Sequence, residues 1–258
     1  MRKRCDILGV YIDAVTLPES LAMIARFLSD RSSRKYMVVT PNPEFLVTAH
    51  RDTDFRFILN KADLAIPDGV GIILASILMG YEMKERVAGV DLVDGVCRYS
   101  EENGLRVMFF GGRGNVAERT YECLIGKYSK LSGTFLPGPN DIEYLSDEEK
   151  EHILTLISES KPDVLFVAFG APKQEKWIYQ NLREISAKVT IGVGGAFDMI
   201  SGKVPRAPIT LRKFGLEWLW RLVQEPWRWK RQLRLFRFAV LVFLSWLKRA
   251  SASFLTSK

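Results

Sequence analysis

From residue 6 to about residue 200, apolar runs of strand length alternate with helix-length amphipathic stretches, a pattern that restricts the chain to βαβ units on a mainly parallel sheet. The expected fold is therefore α/β and Rossmann-like, with helices flanking the sheet. Residues 6–13 read as a strand, and Thr16 with Glu19 has capping-box spacing ahead of a helix over Leu21–Leu28. Tyr36–Val39 reads as a second strand, stopped by Thr40-Pro41-Asn42-Pro43. A helix is expected from Glu44 to Lys61, then a short strand Leu64–Pro67 ending at Asp68-Gly69. Further strands are expected at Arg106–Phe110, Asp163–Phe169 and Lys188–Val193, each running into glycine, and Ser146 with Glu149 offers a second capping box.

After Pro205 the pattern becomes helical only. Pro208 and Pro226 mark the starts of two helices over about 210–224 and 227–247. The expected division is a catalytic body over residues 1–205 and a helical appendage over 206–258. Charge divides at the same place. Residues 1–205 hold 25 Lys/Arg against 28 Asp/Glu, a net −3, whereas 206–258 hold 12 against 2, a net +10, together with five of the six tryptophans. A basic, tryptophan-rich terminus on a mildly acidic body calls for an anionic, interfacial partner. The uncharged run Phe238–Leu247 has ten residues, which at about 1.5 Å per residue covers roughly half of a bilayer core of about 30 Å. It suits a helix lying in the interface plane, or a helical pair packed on the body. Three well-separated cysteines and a basic N-terminus without an apolar export segment favour a reducing, cytosolic setting.

In open parallel sheets ligands bind beyond the carboxyl ends of the strands, so the loops after each strand are the places to search. Gly112-Arg-Gly114-Asn-Val-Ala117 has the spacing of a dinucleotide turn, but Gly133-Thr-Phe-Leu136 runs into Pro137-Gly-Pro where an acidic residue would be needed. A plain strand-to-helix turn fits equally well, although the helix start could still receive a nucleotide diphosphate. Asp52-Thr-Asp54 imitates a metal-chelating pair, yet within a helix acids at i and i+2 do not share a face. With only His50 and His152, and no cysteine cluster, neither a metal nor any other cofactor is expected. Asp68 follows an apolar strand at the ligand edge, where a carboxylate can act as general base or simply make an Asp-Gly turn. Gln174 lies just after a strand, placed for a base, a ribose or solvent. Arg221, Arg228 and Arg231 would share a face if one helix carried all three. Arginine forks fit diphosphates, and nucleic acid is also a polyanion.

Taken together, Thr40-Pro-Asn-Pro-Glu-Phe, Ala65-Ile-Pro-Asp-Gly-Val-Gly, Glu85-Arg-Val-Ala-Gly-Val-Asp, Ala168-Phe-Gly-Ala-Pro-Lys-Gln-Glu and Gly194-Gly-Ala-Phe-Asp resemble the WecG/TagA/CpsF glycosyltransferase family. The likeness spans about residues 6–240 and includes Gly215-Leu-Glu-Trp-Leu-Trp-Arg-Leu and Glu225-Pro-Trp-Arg. It implies an inverting, metal-independent transferase, acting on the cytoplasmic side of the cell membrane as a peripheral protein. The implied donor is UDP-N-acetylmannosamine, with mannosaminuronate or glucose donors as alternatives. The implied acceptor is undecaprenyl-diphosphate-GlcNAc, in synthesis of wall teichoic acid or a related surface polysaccharide. The resemblance puts Thr40 and Asp68 at the reaction centre, with Asp68 as base. It puts Asn42, Arg86, Gln174 and Asp198 around the nucleotide-sugar pocket; Gly112 and Gly114, on the turn where a diphosphate could sit, are further substrate-binding candidates. Arg221, Arg228 and Arg231 would lie on a tail that closes the site at an anionic membrane surface. No nucleic acid is implied, and a homo-oligomer is left open. The rival readings are an NAD-dependent oxidoreductase and a non-catalytic basic membrane-binding protein.

Overall fold

The computed structural model describes the chain from Lys3 to Thr256, and the side chains of these residues other than Arg228, Lys230, Arg231 and residues 252–256. The chain opens with β1 (Arg4–Ile7) and β2 (Val10–Asp13), an antiparallel pair. The single strand expected over 6–13 is thus a hairpin. Leu8 and Gly9 both take left-handed backbone, with φ of 55° and 80°, and Asp6 Oδ1 accepts the Gly9 N–H at 2.9 Å. The hairpin is tied down by fully buried Asp13, which accepts from Arg4 Nε at 2.9 Å and from the Ala65 N–H at 2.8 Å.

Helix α1 (Leu17–Ser29) starts at the expected Thr16–Glu19 capping box, and β3 (Tyr36–Val39) follows as expected. The helix expected over 44–61 is two helices, α2 (Pro43–Arg51) and α3 (Thr53–Lys61). Asp52 breaks it: extended backbone there lets its carboxylate accept the Phe55 N–H at 2.9 Å and Lys176 Nζ at 2.7 Å. Next come β4 (Leu64–Ala65), α4 (Val70–Leu78), α5 (Gly89–Glu102), β5 (Arg106–Gly111), α6 (Val116–Lys127) and β6 (Ser132–Pro137). Helix α7 (Asp147–Ser160) begins at the Ser146–Glu149 box, and is followed by β7 (Val164–Ala168), α8 (Lys173–Asn181), β8 (Val189–Gly192) and α9 (Ala196–Ile200). Strands β3 to β8 form one sheet, parallel throughout, in the order β4-β3-β8-β7-β5-β6.

Alternate strand residues sort to the two faces of that sheet, as a period of two requires. Met37, Val39, Met108, Phe110, Leu165 and Val167 join the core under α2, α3, α7 and α8. Val38, Val107, Phe109, Val164, Phe166 and Ile191 join the core under α1, α5 and α6.

The tail comprises α10 (Ile209–Lys213), α11 (Glu217–Gln224), a 3-10 turn Pro226–Arg228 and α12 (Trp229–Thr256). The first expected tail helix is split because Gly215 takes φ 71°, with Val70 packed where a side chain would stand. The second runs beyond residue 247. Phe238 and Val242 of α12 are buried in the same core as Phe45 and Ile72, so α12 is packed against α2 and α4.

Candidate active site

The carboxyl ends of β4, β3 and β8 stand side by side, and the loops after β3 and β4 each bring a polar residue to that edge of the sheet. Thr40 follows β3. Its buried hydroxyl donates to the Gly192 carbonyl at 3.0 Å, fixing β3 against β8 where both strands end. Asp68 lies three residues beyond β4, with its backbone N–H bonded to the Pro41 carbonyl at 2.9 Å, which brings the two loops together. The Asp68 carboxyl is pushed up to about 7. Desolvation by the surrounding protein is the main cause, with help from the charges of Glu217 and Asp91, while Arg86 and the Gly69 N–H oppose it. An acid titrating near neutrality beside an open edge is suited to take a proton from a hydroxyl.

The tail is fastened over this edge by two ion-pair clusters. In the first, Glu217 of α11 accepts from Arg86 Nη1 at 3.0 Å and lies 3.5 Å from Arg206 Nε, while Arg206 Nη2 reaches Asp91 at 2.6 Å. Arg86 Nη2 also donates to the Arg212 carbonyl at 3.1 Å. The structure therefore joins Arg86 to the tail. In the second cluster Arg221 of α11 donates from Nη2 to Asp198 at 3.0 Å and from Nε to Glu225 at 2.8 Å. Its guanidinium lies against Gly195, at the turn where β8 leads into α9. Asp198, expected near the pocket, is thus the anchor for Arg221, with Lys203 Nζ 3.8 Å away. Arg221, Arg228 and Arg231 do not share one continuous helix, because α11 ends at Gln224 and the chain turns at Pro226 before α12. The side chains of Arg228 and Arg231 lie outside the described residues.

Gln174 is fully buried. Its Oε1 accepts the N–H groups of Gly170 and Gly194, each at 3.0 Å, and its Nε2 donates to Glu175 at 2.5 Å. It therefore binds the loop after β7 to the loop after β8. Glu175 behind it is also fully buried, and burial pushes its carboxyl up to about 8. Asn42 caps α2, its Oδ1 accepting from the Glu44 and Phe45 N–H groups at 2.9 and 3.2 Å. Gly112 and Gly114 do stand between β5 and α6. A side chain at Gly112 would meet Val116 at 2.8 Å, so the glycine there serves close helix-to-strand packing. Connections leave β5 and β7 in opposite directions, so this loop lines the crevice where open sheets receive nucleotides. Asp52 is occupied as a helix cap and as the partner of Lys176, and Asp54 lies in the first turn of α3.

Glu217, Asp91, Arg206 and Glu175 were not anticipated. Three of them sit inside quoted motifs: Asp91 in Glu85-Arg-Val-Ala-Gly-Val-Asp, Glu175 after Lys-Gln, and Glu217 in Gly215-Leu-Glu-Trp. That was the available signal; their partners lie 115 or more residues away for the two tail pairs, beyond the reach of spacing arguments.

The sequence profile described as "Glycosyl transferase WecG/TagA/CpsF family" matches residues 5–252. The chain is 33% identical over 207 residues to a Bacillus subtilis (strain 168) protein, covering 80% of this chain and 78% of that one. It is 30% identical over 240 residues to a Staphylococcus aureus (strain MRSA252) protein, covering 93% and 91%. Both relatives carry the name N-acetylglucosaminyldiphosphoundecaprenol N-acetyl-beta-D-mannosaminyltransferase.

Proposed function

The chain belongs to the WecG/TagA/CpsF glycosyltransferase family, and from that premise we propose that it moves N-acetylmannosamine from UDP-N-acetylmannosamine onto the GlcNAc of an undecaprenyl-diphosphate acceptor. The names of the relatives support both the sugar transferred and the lipid-linked acceptor. The observation that carries the mechanism is Asp68, a carboxyl raised to about 7 at the sheet edge beside Thr40 and beneath a docked basic tail.

UDP-sugars hold the sugar in α linkage, and the relatives' products are named β, which calls for a single displacement with inversion. Asp68 takes the proton from the acceptor hydroxyl as its oxygen attacks the anomeric carbon. The bond from that carbon to the diphosphate breaks, and UDP leaves with the electron pair. The charge that develops on UDP calls for cations positioned in advance, the role we give to Arg221 together with Arg228 and Arg231. Thr40 holds β3 and β8 in register at the reacting edge. Gln174 shapes the two glycine loops that would face the donor. The protein acts at the inner face of the cell membrane, held there by residues 206–258. The test is UDP release from a panel of UDP-sugars with a lipid-diphosphate-GlcNAc acceptor, with the product's anomeric configuration read by NMR. Release only with donors other than UDP-N-acetylmannosamine would sink the donor assignment, and an α-linked product would sink the single displacement.

A further inference from the structure

Helix α4 carries an apolar face that no described element covers. Leu74 and Ile77 are each 61% exposed and Leu78 is exposed beside them, and at i, i+3 and i+4 they share one side of the helix. From Val70 to Tyr81 the sequence has no charged residue, so α4 lacks the polar outer face of a water-facing helix. Helix α12 lies alongside. Phe238 packs 3.5 Å from the position a side chain on Gly71 would take, and three turns further on Arg249 Nη1 donates to the Tyr81 hydroxyl at 3.3 Å. The two helices therefore run parallel. Leu74, Ile77 and Leu78 stand level with the stretch of α12 that exposes Val240, Phe243 and Leu244.

We propose that α4, within the catalytic body, seats in the head-group region of an anionic bilayer beside α12 and so sets the height of Asp68 over the membrane. The inference deepens the reading of the acceptor as lipid-borne and rests on it. Charge identifies the occupant. Residues 229–256 hold six Lys/Arg and no Asp/Glu, with Arg237 before the apolar stretch and Lys248 after it, while Arg234 and Arg249 are paired with Glu44 at 3.9 Å and Asp6 at 3.2 Å on the body. Anionic head groups satisfy both basic ends while the apolar stretch meets the acyl boundary. A second copy seated on the same face would bring like charges together. Among the described residues no helix is long and apolar enough to cross a membrane, and short faces of this kind match an in-plane seat. The chain enters α4 two residues after Asp68, so Leu74 and Leu78 lie about 6–12 Å further along the helix at 1.5 Å per residue. The base is then held at head-group level, where a lipid diphosphate presents its sugar.

The test uses the full chain carrying Leu74→Gln, Ile77→Gln and Leu78→Gln together. Co-sedimentation with phosphatidylglycerol-containing vesicles should fall at least tenfold. Transfer to a long-chain acceptor in those vesicles should fall in parallel, whereas transfer to a short-chain, water-soluble acceptor should stay at the parent level. A second variant guards against misfolding: Ile77→Cys in a Cys123→Ser background, labelled with an environment-sensitive dye, leaves only the buried Cys5 and Cys97 as other thiols. Its emission should shift to the blue when vesicles are added. Unchanged vesicle partition of the triple variant, or a dye blind to vesicles, overturns the proposal. So does a parent dimer that the triple variant breaks while vesicle binding persists. If partition and dye respond as expected but no UDP-sugar supports transfer, the surface assignment stands and the substrate reading falls.

Discussion

Gly195→Ala separates the position of Arg221 from its charge. Gly195 has φ −74° and ψ 9°, a conformation alanine adopts freely, so the backbone has no reason to move. The added methyl would stand 2.5 Å from Arg221 Nη1 and 3.0 Å from Nη2. Ordinary non-bonded contact is about 3.5 Å, so the guanidinium must retreat by about 1 Å. Its hydrogen bond to Asp198, now 3.0 Å, then lengthens to about 4 Å and is lost. Because the displaced group is the end of a flexible side chain, stability should change by no more than about 1 kcal/mol. Turnover should fall by roughly 10²–10³, the usual cost of removing one positioned donor from developing charge. UDP release on a water-soluble acceptor, alongside thermal melting, measures both. The decisive comparison is the double variant Gly195→Ala/Arg221→Ala. If the methyl acts only by displacing Arg221, the double variant is no slower than Arg221→Ala alone. Normal turnover of Gly195→Ala refutes the requirement for a placed Arg221. An additive double variant shows that the methyl obstructs the substrate directly.

Asp68→Asn keeps the shape but cannot accept a proton, so transfer should drop by about a hundred- to ten-thousand-fold while UDP-sugar binding stays near the parent level. Since Asp68 must be ionised to act, the parent rate should climb as pH rises through about 7 and then level off. Glu217→Gln should move that limb to lower pH, because it removes a charge that raises the Asp68 carboxyl and frees Arg86, which lowers it. A limb that stays in place would count against the assignment. Glu175 has its carboxyl raised from 4.5 to about 8, so between those values the folded state holds a proton that the unfolded chain has released. Stability should accordingly decline with rising pH across that window, at up to about 1.4 kcal/mol per unit. Urea unfolding of Glu175→Gln should be flatter over pH 5–9, and a parallel decline would show that the group is already ionised. Phe238→Ala removes a buried ring from the core shared by α12 and the body, and should cost about 3–5 kcal/mol. Loss of less than about 1 kcal/mol would mean that α12 is not docked as described.

Local rules located the elements whose causes are local. The Thr16–Glu19 and Ser146–Glu149 boxes start their helices because donor and acceptor are three residues apart, and Tyr36–Val39 is a strand because a buried parallel strand needs a short apolar run. Thr40, Asp68 and the glycine loops could be placed at the ligand edge from strand order alone, since a parallel sheet gathers its carboxyl ends on one side. The same reasoning failed at Asp52, where a helical pattern hides a cap whose second partner, Lys176, is 124 residues away.

Composition and order in the sequence determined an α/β body, a basic aromatic tail and the family to which the chain belongs. They could not determine what the tail touches. That Glu217 holds Arg86, that Arg221 crosses to Asp198 and Gly195, and that Asp68 is lifted by burial and by a carboxylate 149 positions further along the chain are consequences of packing. Helix period and strand alternation repeat within a few residues and can be read along the chain. A pKa depends on the charges and the solvent that folding brings to, or removes from, one point in space, and distance along the chain carries no record of either.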